Sequence, residues 1–350
     1  MLKKLSVKNC TVFSKAELNF RSGLNAIIGE NGSGKSHLLK VAYSLIAASA
    51  EAGRKPNAKE PTKTYFQKAL ANKLVRVLRP ESLGRLARRK QGRERCEITM
   101  DFSDPELNTS FDFATSAKAE VRILCLPQVW ESKAPVFLPT RELLTLYPGF
   151  VSVYDNHYLE FDETYRDTCM LLGAPALRGP RENLVAALLQ PLEKAMGGKI
   201  VLDVKGRFYL KLPGAGTMEI PLVAEGLRKL AMIARLIATG SLLNQGVLFW
   251  DEPETNLNPK LIKAIAKVIL NLCQNGIQVF ITTHSLFLLR ELELLSQNND
   301  FIQVPKRYFA LSPTVHGVTV EQGDDVEDLS TLLVLDEELQ QSDRYIAAES

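Results

Sequence analysis

An α/β fold with a mainly parallel core sheet is what this 350-residue sequence predicts, on three observations. The octapeptide Gly29-Glu30-Asn31-Gly32-Ser33-Gly34-Lys35-Ser36 lies between an apolar run, Leu24 to Ile28, and a helix-like run beginning at His37. Helical and strand-like segments alternate from Gly226 to Leu295. The apolar run Val247 to Trp250 ends in two adjacent carboxylates, Asp251 and Glu252. Such alternation lays consecutive strands in one sheet and their crossover helices on its faces.

The elements follow in order. Residues 2–8 and 16–28 alternate or cluster apolar residues and predict strands. An N-terminal antiparallel β portion is expected beside the parallel core. The glycine loop and its helix occupy 29–50. From 51 to 95 the chain turns polar and basic, broken by Pro56, Pro61 and Pro80. It reads as a surface insertion, partly helical. Strand character returns at 96–103 and 120–127, and residues 140–195 have the periodicity of a helical lobe. Lys199 to Leu212 predicts a hairpin turning at Lys205-Gly206. The patterned block then gives a helix at 226–237, a strand at 247–250, a helix at 259–273, a strand at 277–283 and a helix at 285–295. Strands at 306–312 and 317–321 precede an acidic segment, 324–350. Within it Leu332, Leu333, Leu335, Leu339 and Ile346 mark a short amphipathic helix.

Composition sets the class. The apolar share of 45% and charged share of 24% are those of a globular domain. Net charge is +3, unevenly spread: residues 54–95 hold 14 Lys/Arg against 3 Glu, and residues 324–350 hold 9 Asp/Glu against one Arg. The five cysteines are widely spaced with no C-x-x-C pair, which argues against a zinc site or disulfide framework and for buried free thiols. No apolar run approaches the ~18 residues of a membrane span, and no long apolar region follows Lys3 and Lys4. A cytoplasmic protein without a membrane partner is expected.

The octapeptide matches G-x-x-x-x-G-K-[ST]. Gly29, Gly32 and Gly34 let successive backbone N–H groups, including those of Asn31 and Ser33, turn inward around a phosphate with no Cβ in the way. The following helix adds the positive end of its dipole. Lys35 can reach the β/γ-phosphates and the Ser36 hydroxyl can ligate Mg²⁺. ATP and Mg²⁺ are the expected ligands. Asp251, at the end of a buried strand, is placed to complete the metal site, and Glu252 to orient or deprotonate an attacking water. His284 ends the apolar run Val279 to Thr283 at the same strand edge, where ligands of open α/β sheets gather. An imidazole there can hydrogen-bond the γ-phosphate.

Together, NGSGKS, a distant DEPE after an apolar strand, an L-N-P turn and TTHS resemble the ABC-type ATPase head, in the branch of SMC proteins, RecF and the OLD-family nucleases. The opening Leu5-Ser6-Val7-Lys8-Asn9 and Phe20 to Gly29 is similar to that branch too. The likeness covers residues 1–50 and about 220–290. It implies a single P-loop ABC-type ATPase domain over 1–350. It also implies a homodimer or higher homo-oligomer in which two protomers share ATP, each closing on its partner's γ-phosphate through a signature loop. The matching position is Ala224, Glu225 and Gly226, where the family's serine and one glycine are replaced. Asn256, Leu257 and Asn258 match the D-loop, Glu252 the catalytic carboxylate and His284 the γ-phosphate sensor. For the Mg²⁺-sensing glutamine there are two candidates: Gln128, and the segment Phe137 to Glu142, which resembles a stretch of small OLD-like ATPases.

SMC-type proteins carry long coiled coils between the halves of the head, and no sustained heptad occurs here. OLD-family nucleases carry a metal-binding nuclease domain after the head, and the 66 residues following His284 are too few for one. A separate effector, a nuclease or toxin, is therefore expected as partner. The resemblance extends to free-standing OLD-like ATPases of anti-phage defence, of the kind found in the PARIS system. A RecF-like ATP-gated DNA-binding protein and a non-hydrolysing ATP-bound scaffold are the alternatives; a transporter's ATPase subunit is disfavoured by the degenerate signature. Arg85, Arg88, Arg89, Lys90, Arg93 and Arg95 could contact nucleic-acid phosphates non-specifically, dock an acidic partner, or do neither.

Overall fold

The computed structural model describes residues 1–55, 60–88, 94–177, 182–243, 246–330 and 333–349. The chain opens with β1 (Leu2–Cys10), β2 (Phe13–Asn19) and β3 (Leu24–Gly29), then α1 (Lys35–Gly53) and α2 (Lys63–Leu78). Next come β4 (Cys96–Phe102), β5 (Thr109–Phe113), β6 (Arg122–Cys125) and β7 (Val136–Leu138). Three helices form the middle: α3 (Tyr147–Asn156), α4 (Glu163–Leu172) and α5 (Glu182–Met196). The strands β8 (Lys199–Leu202), β9 (Phe208–Leu212) and β10 (Gly216–Glu219) lead to α6 (Glu225–Ala238). The last third runs β11 (Val247–Asp251), α7 (Pro259–Gln274), β12 (Gln278–Thr283), α8 (Leu286–Ser296), β13 (Lys306–Thr314), β14 (Gly317–Gly323) and α9 (Leu333–Glu349).

Three sheets result. The central one has the order β14-β13-β3-β12-β11-β7. All its neighbours are parallel except the β13–β14 pair. An antiparallel sheet of order β2-β1-β4-β5-β6 makes the N-terminal β portion, and β10-β9-β8 is a small antiparallel sheet. The mainly parallel core and the antiparallel N-terminal portion are as expected. So is the hairpin at Gly206, whose φ of 75° needs a glycine.

Central strands covered on both faces should be apolar throughout, and β3, β11 and β12 are fully buried. Alternation still assigns their side chains. Leu24, Ala26, Leu248, Trp250, Val279 and Ile281 face the core built with α5, α6 and α7. Ile27, Phe249 and Phe280 face a second core with α1, α2 and the antiparallel sheet. On that side Phe137, Phe249 and Phe280 stack across β7, β11 and β12.

Two expectations change. The basic stretch 51–95 is more than a surface insertion. Phe66, Leu70, Leu74 and Val77 recur on one face of α2 and are buried in the second core. One of the basic residues, Lys73, is itself buried and bonds Glu51 (2.5 Å) and Asp167 (2.9 Å), while the Tyr43 hydroxyl also reaches Asp167 (2.6 Å). This network ties α1, α2 and α4. Of the thiols, Cys10, Cys96, Cys169 and Cys273 are buried as expected, but Cys125 is exposed. The helical middle is present as α3 to α5. The C-terminal helix is present as α9; its residues 340–348 are exposed. No helix among the described residues is long and apolar enough to cross a membrane.

Candidate functional site

β3 runs straight into the glycine loop, and α1 leaves it. Gly32 and Gly34 have φ of 83° and 91°, which side-chain-bearing residues rarely adopt. At Gly34 a Cβ would also lie 2.7 Å from the Phe13 ring. Lys35 folds back to donate to the carbonyls of Gly29 (2.6 Å) and Glu30 (2.9 Å), and burial pushes its pKa below the ordinary lysine range. Asn31, Gly32, Gly34, Lys35, Ser36 and Glu252 line one hollow of about 190 Å³. Ser33 is buried within the loop.

Parallel pairing of β3, β12 and β11 brings the distant carboxylates to this loop. Ser36 Oγ donates to Asp251 Oδ1 at 2.9 Å across 215 residues. Thr282 on β12 donates to the same oxygen at 2.5 Å and accepts the Glu252 N–H at 3.0 Å. Thr282 therefore indexes both carboxylates, a role the TTHS motif contained but did not reveal. A hydroxyl and a carboxylate oxygen at one point are the hard donors Mg²⁺ takes. Glu252 has a φ of 46° and makes a 3.2 Å contact from Oε1 to His284 Nδ1. Its Oε2 accepts from the Thr255 hydroxyl at 3.3 Å.

Glu254 is buried; its Oε1 accepts from the Thr283 hydroxyl (2.6 Å) and the His284 N–H (3.3 Å). Burial raises its pKa above the usual carboxylate range. Sequence reading quoted this residue within DEPE and gave it no role.

The signature-like loop starts α6. Ala224 and Glu225 are exposed, and no side chain caps the helix. Glu225 accepts from Asn256 Nδ2 at 2.9 Å, so its carboxylate is turned to the chain's own Asn256–Asn258 turn. A Cβ on Gly226 would stand 2.9 Å from the Asn256 carbonyl, and glycine thus permits the close approach of α6. Asn256 has a φ of 63°, Leu257 is half-buried, and Asn258 caps α7 by accepting the Leu261 N–H at 3.0 Å. Sequence reading missed two cations one turn into α6. Arg228 pairs with buried Glu142 at 2.9 Å and donates to the Val223 carbonyl. Lys229 is buried and donates to the Glu252 and Thr255 carbonyls; burial pushes its pKa down to about 8.

Not every candidate gathers here. Gln128 is exposed and its backbone N–H bonds the Glu106 carbonyl, beside the antiparallel sheet. The rival segment reaches the site's edge instead: Leu138 pairs with Trp250, so residues 139–142 leave β7 beside Asp251. Of the basic run, Arg85 pairs with Glu81, Arg88 donates to the Val12 carbonyl and Arg95 pairs with Asp112. Arg88 and Arg95 are thus engaged within the fold, Arg85 lies in an exposed ion pair, and Arg89, Lys90 and Arg93 lie outside the described residues.

A parallel sheet that presents a glycine loop and two strand-end carboxylates along one edge has the P-loop fold of SMC heads. The chain belongs to the family described as "AAA domain, putative AbiEii toxin, Type IV TA system", whose model matches residues 90–290. A second family, described as an AAA domain, matches residues 4–106. No curated protein matches the chain. Among solved structures, an Smc head bound to the C-winged helix domain of ScpA is 13% identical with a TM-score of 0.57, covering 93% of this chain and 98% of that one. The SMC head domain from Thermotoga maritima is 13% identical with a TM-score of 0.48, covering 91% and 98%. An Smc head with an extended coiled coil, bound to the C-terminal domain of ScpA derived from Pyrococcus furiosus, is 12% identical with a TM-score of 0.49, covering 97% and 99%. At 13% identity and a TM-score of 0.57, the likeness to the ScpA-bound Smc head is one of fold.

Proposed function

We propose that this chain is an ATP-hydrolysing switch subunit that pairs with a second copy around ATP and controls a separate effector in anti-phage defence. The observation that carries the catalytic part is the convergence of Ser36, Asp251, Thr282, Glu252 and His284 at the ends of parallel strands. Loop N–H groups and Lys35 bind the β/γ-phosphates. Ser36 and Asp251 would hold Mg²⁺, which when bound neutralises charge on the phosphoryl oxygens. Glu252 accepts a proton from water as its oxygen bonds the γ-phosphorus and the bond to the β–γ bridging oxygen breaks, releasing ADP and phosphate. His284, in contact with Glu252, hydrogen-bonds the γ-phosphate. The head folds as one domain, 1–350, with 51–95, 140–195 and 324–350 as elaborations.

The family description, naming a putative toxin of a type IV toxin–antitoxin system, supports a defence role. The likeness of the opening and TTHS segments to OLD-like heads supports the same reading. Exposed Ala224 and Glu225 at the start of α6 favour one second reading, an ATP-bound scaffold that barely turns over. Two measurements on purified chain with Mg²⁺ and ATP decide: phosphate release and solution mass. Release with an ATP-dependent mass increase supports the switch. Mass increase without release supports the scaffold, and neither would refute both. Affinity purification from native cells tests the effector, which predicts a second protein in fixed stoichiometry.

A further inference from the structure

Lys229 is 2% exposed, and lysines are almost never so buried without a purpose for the charge. Its ammonium donates to two backbone carbonyls of one turn, Glu252 (2.9 Å) and Thr255 (3.2 Å). That turn is strained, since Glu252 holds a φ of 46° that a non-glycine residue adopts only under constraint. It is clamped from two sides. From β12, Thr282 accepts the Glu252 N–H, while Thr283 and the His284 N–H grip Glu254. From α6, Lys229 grips the carbonyls. The lysine lies three residues beyond Gly226, about one helical turn from the loop expected to meet a partner's nucleotide.

We propose that Lys229 is a positioning residue that couples the seating of α6 to the orientation of Glu252. It rests on the assignment of Glu252 as the water-activating carboxylate. When α6 is seated, the ammonium fixes both ends of the Glu252–Thr255 turn, and the carboxylate faces the phosphate loop. When α6 shifts, two carbonyls lose their donor and the strained backbone relaxes. A rigid-body movement at the signature-like loop thus reaches the reacting water through one side chain, with no direct contact between Lys229 and nucleotide.

The test compares Lys229→Met, Lys229→Gln and Lys229→Arg with the unaltered full chain. It uses binding of a fluorescent ATP analogue, single-turnover hydrolysis and amide hydrogen exchange. Lys229→Met should bind nucleotide within about twofold of the parent yet hydrolyse about ten- to a hundredfold more slowly, the cost of a misplaced catalytic group. Exchange should rise in the 252–258 peptide and stay unchanged in the 29–36 peptide. Lys229→Arg, which keeps a cation, should recover part of the rate, and Lys229→Gln, whose neutral amide keeps two N–H donors, should fall between Lys229→Met and Lys229→Arg. A folded Lys229→Met with parental hydrolysis and exchange overturns the proposal. Uniform loss of exchange protection, with hydrolysis falling only as the folded fraction falls, overturns it too. If Lys229→Met does not fold, Lys229→Gln decides by the same criteria. If the parent hydrolyses nothing, the Glu252 assignment fails, and the exchange of the 252–258 peptide alone judges Lys229.

Discussion

The phosphate loop and the signature-like loop both open a helix, and they are built on opposite plans. The phosphate loop is made of local backbone: glycines at φ of 83° and 91° and a lysine folded onto carbonyls five and six residues back. The signature-like loop has Ala224 and Glu225 exposed with no side-chain cap, and its position is set at long range. Glu225 meets Asn256, Arg228 meets Glu142 86 residues away, and Lys229 meets the carbonyls of Glu252 and Thr255. The first takes its shape from its own backbone and reaches the distant strand end only through Ser36 and Asp251. The second is fit to feel where other parts of the head stand.

The difference can be broken from the phosphate-loop side with the largest effect. Lys35→Ala removes the cation under the phosphates and should weaken ATP binding by about a hundredfold or more in a fluorescence titration. Binding within a few-fold of the parent would place the nucleotide elsewhere. Glu252→Gln should leave affinity intact while cutting phosphate release by about a hundred- to a thousandfold. Parental turnover would remove Glu252 from the chemistry.

On the signature side, Gly226→Ala should cost about 1–3 kcal/mol in chemical denaturation, because its Cβ would meet the Asn256 carbonyl at 2.9 Å. An unchanged midpoint would mean that α6 and the D-loop segment are free to part. Restoring the family residues with Ala224→Ser and Glu225→Gly should tighten ATP-dependent self-association by about tenfold, the value of one or two charge-assisted contacts. Looser association would mean that the Glu225–Asn256 bond matters more than the missing serine.

The smallest effect lies far from both loops. Arg21, and then Arg307, hold the Asp324 carboxyl down to about 2. Its folded pKa is below its unfolded value, so its contribution is present above about pH 4 and is lost as pH falls toward 2. The pair is half-exposed, so Asp324→Asn should flatten only a shallow part of the acid unfolding curve. A curve identical to the parent's would leave the pair without a share in stability.

What the sequence disclosed follows the same division. The phosphate loop, the strand ending at Asp251 and Glu252, and His284 were legible because each is a contiguous pattern with a local physical reason. The alternating block 226–295 was legible for the same cause. β5, β7 and β10 were not read, being three to five residues long, too short for a period to register. The apolar face of α2 was masked by the basic composition around it. Arg228 and Lys229 carry no motif, and Thr282, Glu254 and Glu142 sit inside motifs that do not reveal their roles; their meaning lies in partners that only the folded chain brings near. Gln128 was chosen for its residue type after a strand, but that strand belongs to the antiparallel sheet, away from Asp251.

The most direct test of the central claim is the solution mass of Glu252→Gln chain with Mg²⁺ and ATP, set against the same protein with ADP. A stable assembly of two or more copies is expected with ATP and not with ADP, because both loops must meet the γ-phosphate at once. The same mass with either nucleotide would contradict it.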